Sequence, residues 1–258
     1  MDLIIILMAF AFGACIGSFL NVCIYRIPLN ISVVTPPSSC PGCKEPIRFY
    51  DNIPIISYLI LRGKCRKCRT SISAKYPAIE FLTGMMAVAT WVYFDTAGSA
   101  IVYFIFISSL IVITFIDIDY RIIPNAITLP GIPIAVLAAS FFIPGMTPLQ
   151  AIIGLLAGGG SLYSVALIYA LLTGKEGMGG GDIKLLAMIG ALTGIKGVVL
   201  TVLLSSISGT IAGIGTMIFK RKKDLKLAIP FGPFLSIGAV IHLFFGNQLI
   251  NWYFSFMR

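Results

Sequence analysis

Long apolar runs separated by short polar segments dominate this chain. Eight stand out, at about 3–24, 78–94, 99–117, 126–143, 149–173, 183–194, 197–219 and 229–254. Crossing roughly 30 Å of hydrocarbon as a helix takes about 20 residues. Most of the runs meet that length, and the sixth is the shortest. In lipid every backbone polar group needs an internal partner, so the runs predict helices. The expected fold is an all-α polytopic membrane protein of about eight transmembrane helices with a small cytoplasmic four-cysteine zinc module. The first run, with no basic segment before it and no small-residue cleavage site before Arg26, is expected to stay as an anchor. The expected division is a first transmembrane helix at 1–25, a cysteine module at 26–77 and a helical bundle at 78–258.

Composition supports the membrane reading. Of 258 residues, 58% are hydrophobic and 11% charged, where a soluble domain carries about 25% charged residues. The net charge of +9 could suggest nucleic acid, but its placement points to topology. Nine of the 19 Lys and Arg fall between Arg26 and Lys75. Arg121, Lys175, Lys184, Lys220, Arg221, Lys222, Lys223 and Lys226 occupy later alternate loops, which leaves only Lys196 and Arg258 for the other side. The positive-inside rule then places both termini outside and residues 25–77 in the cytoplasm. No nucleic-acid partner is expected; the partner composition implies is the lipid bilayer.

Residues 26–77 hold Cys40-Pro41-Gly42-Cys43 and Cys65-Arg66-Lys67-Cys68. Each pair can present two thiolates from one tight turn, and together they suit a tetrahedral site. Two disulfides are the competing reading, and a reducing cytosol argues against them. Four thiolates leave no open position for water, so Cys40, Cys43, Cys65 and Cys68 are expected to hold a structural zinc ion. Cys15 and Cys23 lie in the first apolar run and read as inert.

Two acids occupy costly positions. Asp117 ends one apolar run and Asp182 opens another, after Gly179-Gly180-Gly181. A carboxylate at full membrane depth costs roughly 2.5–3.5 kcal/mol on insertion scales, somewhat less near the interface, so each is a functional-site hypothesis. Two spans separate them, which returns both to one face. Two nearby carboxylates share a proton. One can serve as base towards water and the other as acid towards a scissile amide. The glycines, Gly179 and Gly181 among them, are expected to leave room for an extended substrate beside Asp182. Pro124 is expected in the first turn of the next helix. Helix capping is the plainer role for Asp182, and Asp119 reads as a neighbour. His242, the only histidine, lies in the last run and reads as a hydrogen-bonded core residue.

On these residues the chain resembles the bacterial type IV prepilin peptidases, GxGD intramembrane aspartyl proteases. Gly179-Gly180-Gly181-Asp182 matches the GxGD element, and Asp117 with Ile123-Pro124-Asn125 matches the first-aspartate element. Gly17-Ser18-Phe19-Leu20-Asn21-Val22, Tyr25-Arg26-Ile27-Pro28, the two cysteine pairs, Tyr76-Pro77-Ala78-Ile79-Glu80 and Pro230-Phe231-Gly232-Pro233-Phe234 match further segments in order.

The resemblance implies a bacterial inner-membrane enzyme that removes a short basic leader from prepilins or pseudopilins, after a glycine on the cytoplasmic side. It implies a catalytic pair in Asp117 and Asp182. It also implies N-methylation of the new terminus, usually phenylalanine, with S-adenosylmethionine as cosubstrate and Glu80 as a participant. Glu80 could instead be a buried acid set against the basic loop. The family's element before the first cysteine often carries an arginine beside a serine, where this chain has Ser38-Ser39. A transporter or assembly scaffold is the competing class, because membrane acids also mark ion pathways.

Overall fold

The computed structural model describes residues 3–175, 177–220 and 230–255. Arg221, Lys222, Lys223, Lys226 and Arg258, five of the basic residues counted above, lie outside them. Eight α-helices carry the described chain: α1 (Leu3–Arg26), α2 (Ile56–Ile60), α3 (Lys75–Tyr93), α4 (Ala97–Tyr120), α5 (Asn125–Phe142), α6 (Pro148–Thr173), α7 (Gly180–Lys220) and α8 (Gly232–Ser255). Six of them, all but α2 and α3, are long and apolar enough to cross a membrane. This is a polytopic helical membrane protein. The chain divides into two compact units, residues 1–112 and 113–258, with the division inside α4.

In the first unit α1 packs on α3 through small residues. A Cβ on Gly13 would lie 2.9 Å from the Gly84 Cα, and one on Gly17 would lie 2.7 Å from the Glu80 Cα. Four residues forward on α1 match four residues back on α3, so the helices are antiparallel. Lipid tails are as apolar as leucine, so helices in a membrane gain by close backbone approach, which small residues permit. Arg26 closes α1 and is buried. It donates to the carbonyls of Ser32 at 2.8 Å and Pro36 at 2.7 Å, which ties down the start of the polar insert.

In the second unit the same device recurs between α6 and α7. A Cβ on Gly154 would overlap the Gly190 carbonyl, and one on Gly158 would overlap that of Leu186. Gly194 breaks α7 with φ 69° and ψ −174°. A Cβ on Gly190 would lie 2.8 Å from Val198 Cγ2. Eight residues of unbroken helix would separate these by about 12 Å, so the chain folds back at Gly194. One helical stretch therefore supplies two antiparallel arms, 180–193 and 195–220. Counting the arms separately and adding α3 recovers the eight apolar segments of the sequence. The first arm is the core of this unit, with Leu185, Leu186, Ile189 and Leu192 almost fully buried. The second arm packs on α8, where Gly238 lies against Thr201.

The Gly154 contact yields a prediction. Gly154→Val forces side-chain atoms into the facing backbone, an overpacking worth about 1–3 kcal/mol, and lowers the thermal transition in detergent. Gly160→Ala, on the same helix, adds a Cβ with nothing within 4 Å and leaves that transition in place. A thermal-shift comparison of the two variants reads the difference.

Candidate active site and metal-binding cluster

Asp117 sits in the last turn of α4 and is 5% exposed. The helix closes after Tyr120: Arg121 takes φ 57° and donates its N–H to the Asp117 carbonyl at 2.9 Å. Pro124, expected inside the next helix, instead caps it with φ −71° and ψ 125°. Its fixed φ suits an extended residue just before a helix as well as one just inside it.

The Asp117 side chain meets the start of another helix. The Gly232 N–H, at the first residue of α8, donates to Asp117 Oδ2 at 3.0 Å. The first N–H groups of a helix lack partners within it and carry the positive end of its dipole, so a carboxylate is a fitting acceptor. Glycine is needed there: a Cβ would lie 2.7 Å from that same carboxylate oxygen. Pro233 has no N–H to leave unpaired in this turn.

Asp182 is the third residue of α7. The glycine stretch before it is therefore not wholly the open loop suggested by sequence, because Gly180 and Gly181 already belong to the first helical turn. Their small size serves packing as well as access. A Cβ on Gly181 would lie 2.8 Å from the Ile123 Cβ, whereas one on Gly180 would meet nothing within 4 Å. Gly179 lies beside the carboxylate, with Asp182 Oδ2 3.4 Å from its Cβ position. Asp182 Oδ1 is buried and has no hydrogen-bond partner among the described residues. Ile123 spans the gap between the two helix starts, touching the positions of both Gly181 and Gly232. Lys184 adds a polar tie by donating to Asn125 Oδ1 at 2.8 Å.

Sequence reasoning gave Gly232 no role. The signal was present in Pro230-Phe231-Gly232-Pro233-Phe234, where a glycine beside a proline at a helix start offers one free N–H and no side chain. His242 lies on α8 against Gly197 and Gly246, and its buried Nδ1 has no partner among the described residues. The hydrogen bond expected of it is therefore missing at that nitrogen.

Glu80 belongs to the first unit. It is buried on α3, accepts the Ile55 N–H at 2.7 Å and is hydrogen-bonded to the Ser18 hydroxyl of α1. Ile55 holds φ 63° and ψ −51°, a left-handed backbone that a β-branched residue rarely adopts. Asn21 donates to the Tyr76 carbonyl nearby at 3.1 Å.

The four loop cysteines come together. Their sulfur atoms all lie within 4.8 Å of one another, with Cys40–Cys68 at 3.7 Å and Cys43–Cys65 at 4.0 Å. Each CxxC sits in the same turn. The first cysteine's N–H bonds to the carbonyl five residues on, Cys40 to Glu45 and Cys65 to Thr70. The residue after the second cysteine, Lys44 or Arg69, takes φ 58° or 60° and donates back to the first. The Thr70 hydroxyl, 3.1 Å from Cys68 Sγ, pulls that thiol down to about 6. The thiolate is the form a metal binds; Cys43, by contrast, despite the Glu45 backbone hydrogen bond, is pushed up to about 11 by burial and the neighbouring thiols. Tetrahedral Zn–S bonds of about 2.3 Å place sulfurs roughly 3.8 Å apart, so the donor set fits and could hold a metal ion. Lys67–Glu45 at 2.7 Å and Arg66–Asp51 at 2.6 Å brace the second turn from outside.

Two family models and several curated relatives match the chain. The family described as Bacterial Peptidase A24 N-terminal domain matches residues 11–94, and the Type IV leader peptidase family matches residues 104–214. A prepilin leader peptidase/N-methyltransferase of Aeromonas salmonicida is 36% identical over 96% of this chain and 93% of its own. Proteins of the same description from Neisseria gonorrhoeae and Pseudomonas aeruginosa are 38% and 34% identical. They cover 96% and 97% of this chain and 94% of their own length. No solved structure matches the chain. With such identity across nearly its whole length, the chain belongs to the type IV leader peptidase family.

Proposed function

We propose that Asp117 and Asp182 are the catalytic pair of a prepilin peptidase of the bacterial inner membrane. The observation that carries this reading is the buried, unpartnered Asp182 oxygen, on a helix start that packs through Gly181 on the same Ile123 that meets Gly232, the partner of Asp117. One carboxylate takes a proton from water as its oxygen attacks the scissile carbonyl carbon. The other carboxyl group, which holds the proton the pair shares, gives it to the leaving nitrogen as the C–N bond breaks. Gly232 fixes the Asp117 carboxylate, and Gly179 and Gly181 support the start of α7 from which Asp182 projects. The substrate is a prepilin or pseudopilin cut after a glycine on the cytoplasmic face. Basic residues concentrated in the 26–77 segment support an orientation with that segment in the cytoplasm and both termini outside.

The same reading assigns residues 26–77 to a structural zinc module, the first helix to an anchor, and the bundle from residue 78 to the peptidase. Glu80 holds the newly freed amino group, to which S-adenosylmethionine, when bound, would supply the methyl group. Its burial beside Ser18 and the strained Ile55 supports that role: backbone strain of this kind is concentrated at functional sites.

Three outcomes follow. Asp117→Asn and Asp182→Asn each lower the cleavage rate by about 10²–10⁴-fold, and Gly232→Ala, which crowds Asp117, also slows cleavage. A gel assay on a prepilin reads all three, and full activity of both asparagine variants would remove the mechanism. Glu80→Gln keeps leader removal but loses the methyl mass increment, read by mass spectrometry of the product. The purified chain carries one zinc ion by elemental analysis, and Cys43→Ser with Cys65→Ser abolishes it and leaves the 26–77 segment open to protease.

A further inference from the structure

The segment between α1 and α3 turns apolar side chains outward. Phe49, Leu59 and Ile60 are 87%, 67% and 70% exposed, and Ile53 and Ile56 are exposed beside them. Polar groups of the same stretch face inward. Ser57 is buried, and its hydroxyl donates to the Tyr50 carbonyl at 2.8 Å and accepts the Ile53 N–H at 3.1 Å. In water this arrangement forfeits the gain of burying apolar surface. Such a face, rimmed by polar residues, marks a surface that something covers.

The depth of the stretch points to lipid as the cover. Ile55, the residue before α2, donates its N–H to Glu80, and Glu80 is hydrogen-bonded to Ser18 of α1. Ser18 lies about 12 Å along the axis from Arg26, the last residue of α1. The 24 residues of α1 span about 36 Å, against roughly 30 Å of hydrocarbon. Even if the whole excess of about 6 Å emerged at the Arg26 end, Ser18 would lie inside the hydrocarbon. Glu80 therefore holds Ile55, and the short helix that Ile55 starts, at the level of the acyl chains.

Charge agrees with this cover. The only acids in residues 26–77 are Glu45 and Asp51, and both are already paired, with Lys67 and Arg66. Arg62 and Lys64 follow α2 directly, are exposed, and have no ion-pair partner among the described residues. The Arg62 N–H donates to the Leu59 carbonyl at 3.1 Å, so this cation starts beside the apolar face. Long stems carry such cations from an apolar surface to the phosphate level, and anionic lipid attracts them.

We propose that residues 53–60 are a membrane-interface wedge. Ile53, Ile56, Leu59 and Ile60 lie among the acyl chains of the leaflet at which α1 ends. Arg62 and Lys64 bind anionic phospholipid headgroups above them. Cys65 follows at once, so the wedge seats the second cysteine turn on the bilayer.

The test uses the full chain with both native tryptophans removed by Trp91→Phe and Trp252→Phe. One new tryptophan is then introduced, by Leu59→Trp or by Ile60→Trp, so that a folding failure at one position leaves the other. Each protein is reconstituted in nanodiscs of phosphatidylcholine and phosphatidylglycerol, with plain or with brominated acyl chains. Bromine quenches a tryptophan that lies among the chains. The new tryptophan emits to the blue of a water-exposed one and loses emission in the brominated lipid; quenching at either position supports the wedge. Emission left unquenched at both positions overturns it, whether red, from a face in water, or blue, from a face covered by protein or by a second copy. The headgroup contact is read by lipid analysis of the chain solubilised from an equal mixture of the two lipids. Arg62→Gln with Lys64→Gln retains less phosphatidylglycerol than wild type, and equal retention would overturn the role of these two cations.

Discussion

A carboxylate buried among apolar helices must find a fixed partner, and here Asp117 finds the free N–H of a helix start. The 3.0 Å bond from Gly232 joins the end of α4 to the beginning of α8. Much of the local sequence serves this contact. Residue 232 must lack a Cβ, the following proline must have no N–H to spare, and Ile123 must fill the space beneath. A charge in lipid is expensive unless its surroundings are arranged for it, and a helix N-terminus supplies the arrangement without a second ionisable side chain.

The second acid depends on packing of another kind. Asp182 is placed by the first arm of α7, and that arm is seated on α6 by backbone contacts at Gly154 and Gly158. Gly194 then turns the chain back towards the side where α7 began, and α8 lies along the returning arm. Close glycine contacts thus set the position of a helix whose first turn carries Asp182. Because such contacts leave little slack, a change far along α7 would be felt at Asp182. The cysteine module is built on a different principle: it has little core, and paired turns bring its sulfurs together.

Much of this was legible in the sequence. The apolar runs gave the helices because lipid leaves the backbone few other options. Asp117 and Asp182 stood out because acids are rare in such runs, and the CxxC spacing announced a cluster. Other features were hidden for physical reasons. That Gly181 must stay small beside Ile123 follows from a contact between segments far apart in sequence. Pro124 fits a cap or a first turn equally well by its φ. The left-handed Ile55 has no local signal, since β-branched residues avoid that region. It is visible only through the Glu80 carboxylate that meets its N–H. Gly232 required knowing which acid its helix would face.

The proposed peptidase needs the two aspartates to act as one coupled pair. Carboxyl titration by NMR, with labelled aspartate in detergent, measures this directly. If the account is right, Asp182→Asn moves the titration of Asp117 by about one pH unit or more, and Asp117→Asn does the same to Asp182. Two titrations that each stay in place when the other acid is removed would contradict it.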